Sequence, residues 1–429
     1  MVNTIPNRER RNIEAIEFMN WLEKLPSRRG MVSIKFKGGP KNTYRILDQN
    51  LQSLIKFYKY KTDGIATKKV KPSSMDKVTH WLIYFANFAG KKPFKKVGKD
   101  DVESFLNQRI KNGDSEGTLF SFKIWIRDFF KWYYGFKRGY PEMVDWMDVS
   151  LPKTSKQYDA IEEDDIVKML QACGNSRNRA LLSVLIESGA RISEILDLKL
   201  KDIKEDQYGF ILKVEGKTGS RPIRIVQSVN DLKRWINEHS FKSNQESPLF
   251  YSFDDKNFGG FMTGTSGYIL VKKIAKMAGI KKKITPHSFR HARATSLAQV
   301  MSDRQLVKFF GWSDKSDMPA LYSHLTEKDI DDKVLSLNGF ESKAAKPMKI
   351  PTFECYRCNE VNSAGSRFCV RCNAPLEKES IEKITNVKRI VEEITDIVSK
   401  EMQIRSIGEK DLENIVREWY ERQNKQSFN

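Results

Sequence analysis

Apolar positions recur at helical spacing through most of the chain and at strand spacing in one short stretch. Asn12 to Leu25 (NIEAIEFMNWLEKL) and LDQNLQSLIKFYKYK read as helices, separated by a Gly-, Pro- and charge-rich break, SRRGMVSIKFKGGPKN. SSMDKVTHWLIYFANFAG, KDDVESFLNQRI and EGTLFSFKIWIRDFFKWYYG follow as three amphipathic helices, the first opening on serine caps. DVSLPKTSKQYDAIEEDD is polar and reads as a linker. Beyond it, IEEDDIVKML and RNRALLSVLIESGA are helices, the second ended by Gly189. YGFILKVEGKTGSRPIRIV alternates like two strands about Gly216-Lys217-Thr218-Gly219 and predicts a hairpin. More helices surround ITPHSFRHARATSL, and apolar residues from Ile381 to Val398 predict a long amphipathic tail helix, followed by a second after Gly408.

The class expected is therefore mainly α with a small β-sheet (α+β). Five parts are expected: a helical leader (1–71), a helical unit (72–150), a second globular unit (151–340), a short cysteine module (352–376) and a helical tail (377–429). There are no internal repeats.

Composition narrows the partners. At 429 residues, with 39% hydrophobic and 30% charged residues, the chain has room for sizeable cores. A net charge of +20 points to a polyanion, with nucleic acid first and an anionic membrane surface second. No apolar run reaches the length of a membrane span, and the N-terminal segment has no apolar signal core.

Cys355-x-x-Cys358 and Cys369-x-x-Cys372 pair four thiols at the spacing of zinc knuckles, not of a secreted disulfide framework. A structural Zn²⁺ is expected there, supplying most of the folding free energy of so short a segment, and the compartment expected is the reducing cytoplasm. Four thiolates close the coordination sphere, so the metal is expected to staple a fold, with Arg357, Arg367 and Arg371 available for an extra DNA contact.

The chemistry concentrates between Arg191 and Tyr322. His287 and Arg290 are three apart on a predicted helix and share a face. An arginine fork beside an imidazole suits an anionic oxygen. A tyrosine within reach is a potential nucleophile. Upstream, Glu194 lies one turn after Arg191, where it is placed to hold the arginine side chain.

These residues, taken in order, resemble the tyrosine recombinases of the phage-integrase family. They are Arg191 and Glu194 in ARISEIL, Lys217 in the hairpin GKTG, His287-x-x-Arg290-His291, Gly311-Trp312, and Tyr322 followed by His324. The G-W and Y-x-H-L arrangement is closest to the archaeal branch. The resemblance covers roughly residues 72–335 and makes 72–150 a core-binding domain that clamps duplex DNA, with Thr118 to Phe130 as its closing helix. Lys91, Lys92, Lys95, Lys96 and Lys99 would then be backbone contacts.

By the same resemblance, residues 151–340 are the catalytic domain, and Tyr322 attacks DNA to give a 3′-phosphotyrosine. Arg191 and Arg290 grip the non-bridging oxygens, Lys217 protonates the 5′-oxygen, His287 assists proton handling and Trp312 packs beside the phosphate. His291 and His324 are supporting residues. The reaction needs neither ATP nor a catalytic metal. It is expected on double-stranded DNA in a homo-oligomer, a tetramer at synapsis.

Two departures stand out. Trp312 replaces the histidine commoner at its position and cannot act as a base. The Trp312-to-Tyr322 segment is also a residue longer than in many bacterial members. Two other classes share part of this pattern. A type IB topoisomerase has the same tyrosine chemistry without a defined site pair. A non-catalytic zinc-ribbon DNA-binding protein has the charge and the cysteines but no use for the six ordered positions.

Overall fold

The computed structural model describes residues 4–36, 43–63, 69–150, 161–216, 218–314, 316–322 and 352–363, together with 335, 338, 350, 366, 368–369, 371–376 and 394–395. Lys217, His324, Arg367, the linker over 151–160 and nearly all of the tail expected over 377–429 lie outside the described residues. The chain forms two compact units, one of Met1–Tyr158 with Ser252–Thr263, the other of Asp159–Tyr251 with Gly264–Asn429. The mainly helical, α+β class expected from the pattern is what the structure shows.

The first unit runs α1 (Asn7–Glu23), β1 (Ser27–Arg28), β2 (Met31–Ile34), β3 (Tyr44–Leu47), α2 (Asp48–Thr62), α3 (Pro72–Ala89), α4 (Lys99–Lys111), α5 (Glu116–Tyr133) and α6 (Glu142–Asp145). The stretch read as a break between two helices thus contributes a small antiparallel sheet, β1-β2-β3. Its register pairs Val32 with Ile46 and Ile34 with Tyr44. Val32, Ile34 and Ile46 are fully buried and share one core with Met19 of α1, Leu54 of α2, Leu82 of α3 and Phe129 of α5. Residues 7–62 therefore pack with the helices that follow rather than standing apart as a purely helical leader.

The helix starts follow local chemistry. Pro72 occupies the first turn of α3, where its missing N–H costs nothing. Ser115 caps α5 by accepting from the Thr118 N–H at 3.3 Å. Of the lysines around 91–99, Lys92 pairs with Asp101 at 2.6 Å and Lys99 lies over the Trp146 ring, whereas Lys91, Lys95 and Lys96 are exposed.

The second unit runs α7 (Glu163–Gln171), α8 (Ser176–Ser188), α9 (Ile192–Leu196), β4 (Ile203–Asp206), β5 (Gly209–Gly216), β6 (Gly219–Ile225), α10 (Val229–Glu238), α11 (Gly264–Met277), α12 (Pro286–Ala298) and α13 (Asp303–Phe310). At its centre is α8, buried at every position from Ala180 to Ser188 and packed against α10, α12 and β6. β4, β5 and β6 form an antiparallel meander in which Gly216 pairs with Gly219.

A cysteine module adds β7 (Thr352–Glu354) and β8 (Val361–Ser363). It meets α10 and α8 through the Asn230 amide, which donates to the Val361 carbonyl, and through Arg179, whose Nη2 donates to Ser366 Oγ at 3.2 Å. Among the described residues, no helix is long and apolar enough to cross a membrane.

Candidate active site

Four short pieces of the second unit build the site. The first is the turn into α9. Gly189 ends α8 in the left-handed conformation, φ 56°, which turns the chain sharply so that Arg191 leads into α9. Glu194 accepts the Arg191 N–H at 3.0 Å and the Arg191 guanidinium at 2.7 Å. It is 3% exposed and also carries Arg221 of β6, whose Nη1 and Nη2 donate to the two carboxylate oxygens at 3.2 and 2.8 Å. Burial would push this carboxyl up; the bonds from Arg221 and then from Arg191 outweigh it and hold Glu194 below the ordinary carboxylate range.

The second piece is α12, which starts at Pro286 with Thr285 and Ser288 capping it. Arg290 is 6% exposed and donates to the Gly189 carbonyl at 3.1 Å and the Phe310 carbonyl at 2.7 Å. Its guanidinium also lies over the rings of Phe310 and Trp312. Burial and then the like charge of Arg191 pull its pKa down to about 10, so it remains a cation at neutral pH. Burial, then Arg290 and Arg191, hold His287 below its ordinary value. His291 is held down likewise by burial, then by His287 and Arg290.

The third piece is the end of α13. Gly311 adopts φ 59°, and a Cβ there would lie 2.7 Å from Nη1 of Arg221. The turn delivers Trp312 (7% exposed) into a cluster with Leu306, Phe310 and Ala294. It also presents two carbonyls: Phe309 accepts from Nε of Arg221 at 2.8 Å, and Gly311 accepts from Thr218 Oγ1 at 3.0 Å. That second bond fixes the β5–β6 hairpin beside α13.

Tyr322 is the fourth piece. Its ring stacks on Trp312 with centroids 5.7 Å apart and planes within 4°. Its hydroxyl lies 2.5 Å from Nδ1 of His291. The structure thus brings Arg191, His287, Arg290, Trp312 and Tyr322 into one locality of the second unit, together with the hairpin end at Gly216 and Gly219. Lys217 itself lies outside the described residues.

Two residues acquire weight that the sequence had not assigned them. His291, read as supporting, is the residue at the tyrosine hydroxyl. Arg221 was not singled out, although β6 carried the signal: the strand alternates, and Arg221 falls in phase with buried Ile223 and Ile225. An arginine in the apolar phase of a strand needs a buried acid, and Glu194 supplies it.

The four cysteines form a separate cluster. Their sulfurs all lie within 4.8 Å of one another, with Cys355–Cys372 at 3.6 Å and Cys358–Cys369 at 3.5 Å. These separations are far beyond a disulfide and near the roughly 3.8 Å edge of a tetrahedron with about 2.3 Å metal–sulfur bonds. The two halves are built alike. Cys355 donates its N–H to Glu360 O and accepts at its carbonyl from Asn359; Cys369 does the same with Ala374 and Asn373. Asn359 and Asn373 both sit in the left-handed region, φ 57° and 56°, which asparagine tolerates. The cluster is thus able to hold a metal ion.

A tyrosine hydroxyl against an imidazole, beside a buried arginine, is an arrangement able to bind a phosphate and attack it. Residues 159–329 match the phage integrase family. The chain is 28% identical over 273 residues to the tyrosine recombinase XerD of Oceanobacillus iheyensis, covering 59% of this chain and 87% of the relative. To the tyrosine recombinase XerC of Thermodesulfovibrio yellowstonii it is 25% identical over 261 residues, covering 57% and 83%.

Among solved structures, the fold is similar to the XerH site-specific recombinase bound to a palindromic difH substrate (TM-score 0.51, 18% identity, 78% of this chain and 97% of that one). It is also similar to a lambda integrase dimer on a core site (TM-score 0.50, 15% identity, 63% and 94%). Residues 159–329 thus carry a phage-integrase family domain, and the curated relatives it resembles are tyrosine recombinases.

Proposed function

We propose that the chain is a site-specific DNA recombinase that breaks and rejoins strands through a 3′-phosphotyrosine on Tyr322. The observation that carries this reading is the position of the Tyr322 hydroxyl. It is in hydrogen-bond contact with an imidazole and on the same small cluster as the buried Arg290. Arg191 and Arg290 bind the non-bridging oxygens of the scissile phosphate and stabilise the charge that grows on them. Arg191 is preorganised by Glu194, and Arg290 by the carbonyls of Gly189 and Phe310. His287, next to both arginines, assists proton handling around the phosphate.

Trp312 holds the Tyr322 ring by stacking and packs beside the phosphate. Lys217, in the hairpin whose Thr218 is tied to Gly311, protonates the departing 5′-oxygen. A 5′-hydroxyl from a partner strand then reverses the attack, so the phosphodiester is conserved without ATP. The partners are double-stranded DNA, consistent with the net charge of +20, and further copies of the chain, four at synapsis. The helices over 72–150 act as the core-binding clamp, ahead of a catalytic domain spanning 151–340, with residues of 1–71 packed into the clamp's core.

Cys355, Cys358, Cys369 and Cys372 bind one structural Zn²⁺, and a tetrathiolate site of this kind suits the reducing cytoplasm. When bound, the metal supplies the fold of the ribbon over 352–376.

The test is covalent trapping on nicked suicide duplexes of random sequence in EDTA. A 3′-linked adduct absent from Tyr322→Phe is expected, and sequencing the trapped DNA yields the site. An adduct in Tyr322→Phe, or none from folded, DNA-bound wild type, refutes the reading; relaxation of supercoils with no site preference favours a topoisomerase.

A further inference from the structure

We propose that His291, and not His287, is the group that takes the proton from Tyr322 during strand cleavage and returns it during joining. This inference rests on the recombinase reading above and concerns the same site. Three observations support it. First, Nδ1 of His291 is the imidazole nitrogen at the Tyr322 hydroxyl, at 2.5 Å, with the two rings 5.8 Å apart at 39°. The imidazole is thus in direct hydrogen-bond contact with the proton a general base would take.

Second, the stack of Tyr322 on Trp312, itself stacked on Phe310 with centroids 5.0 Å apart, fixes the phenol so that its hydroxyl faces α12. Position 312, an indole, offers the tyrosine a stacking face rather than an imidazole.

Third, the charged surroundings keep His291 neutral and therefore able to accept. Among the described residues, His287 and Arg290 on its own helix and Tyr322 from the segment after α13 face it, and burial with the first two holds it below its ordinary value. Arg191, Glu194 and Arg221 act one layer further out, on Arg290. His287 differs in being pressed by both Arg290 and Arg191, which places it with the groups that bind phosphate.

The step balances. The Tyr322 O–H bond breaks as its oxygen bonds to phosphorus. The proton passes to the Nδ1 lone pair, giving an imidazolium, and the 5′-oxygen leaves with a proton from its own donor. In joining, the 5′-hydroxyl gives its proton back to that same donor as its oxygen bonds to phosphorus, and Tyr322 leaves, recovering its proton from His291.

The experiment measures single-turnover cleavage of the trapped site against pH for wild type, His291→Asn and His287→Asn, each with tyrosine or a fluorinated tyrosine at position 322. Asparagine keeps a hydrogen-bond acceptor but cannot take a proton, and fluorination makes the phenol more acidic. Wild type should lose rate as pH falls below the ordinary imidazole value of 6.5. His291→Asn should lose that limb, cleave about 100-fold more slowly with unchanged DNA affinity, and be rescued by fluorination far more than wild type. His287→Asn should be slowed yet keep the limb.

A His291→Asn enzyme within threefold of wild type, or one whose limb and response to fluorination match wild type, overturns the proposal. A wild type with no Tyr322-dependent adduct overturns the recombinase reading itself, an outcome separable from the first.

Discussion

Replacing Arg221 by methionine removes a guanidinium while keeping most of the aliphatic stem. Three hydrogen bonds go with it, two to Glu194 and one to the Phe309 carbonyl. Glu194 is 3% exposed, and its remaining partners are the side chain and backbone N–H of Arg191. Removing one member of a buried pair costs about 3–5 kcal/mol, and the surviving Arg191 bonds put this site near the lower end. The stranded Phe309 carbonyl adds roughly 1–2 kcal/mol. The expected loss is therefore about 4–5 kcal/mol at neutral pH.

The pH dependence carries a definite sign. In the wild type Glu194 is depressed, so its stabilisation is complete above the ordinary carboxylate value of 4.5 and is lost only as pH falls through the lower folded value. Without Arg221 its main lowering influence is gone and the carboxyl sits higher than in wild type, so the variant's penalty shrinks as pH falls toward 4.5. Urea unfolding of both proteins at several pH values between 4.5 and 7.5 measures this. A penalty below about 1 kcal/mol, or one that does not shrink toward pH 4.5, refutes the reasoning. Arg221→Lys keeps the charge but cannot span three acceptors, and should fall between the two.

Gly311→Ala should destabilise by at least about 1–2 kcal/mol, from the left-handed backbone alone, and more as its Cβ displaces Arg221; thermal melting checks it. Cys369→Ser should abolish binding of the one metal ion expected per chain and make 352–376 sensitive to protease, whereas wild type should release the metal only to strong thiol or chelator competition. Phe94→Ala, which empties a site ringed by Phe85, Phe129, Phe130 and Tyr133, should cost about 3–5 kcal/mol of first-unit stability, read by urea midpoint.

Much of this protein was legible in the order of its residues. Helical periodicity located α3, α4, α5 and α8, because a helix that buries one face must repeat every three to four positions. Alternation located the β5–β6 hairpin, and the paired C-x-x-C knuckles located the cysteine cluster, since metal spacing is local along the chain. The ordered set from Arg191 to Tyr322 identified the family.

Tertiary structure decided what depends on residues far apart in sequence. β2 and β3 are four residues each, too short for alternation to register, and they exist as strands because Val32, Ile34 and Ile46 close onto α1, α2 and α3. Arg221 and Glu194 are 27 positions apart, and only their hydrogen bonds in the folded chain show that each needs the other. The choice between His287 and His291 is also tertiary. The two share one face of α12, four residues apart, and helical spacing alone does not separate them, so the family pattern had favoured His287. What separates them is where the chain beyond α13 brings the Tyr322 hydroxyl, a placement set by the Trp312 stack and the turn at Gly311.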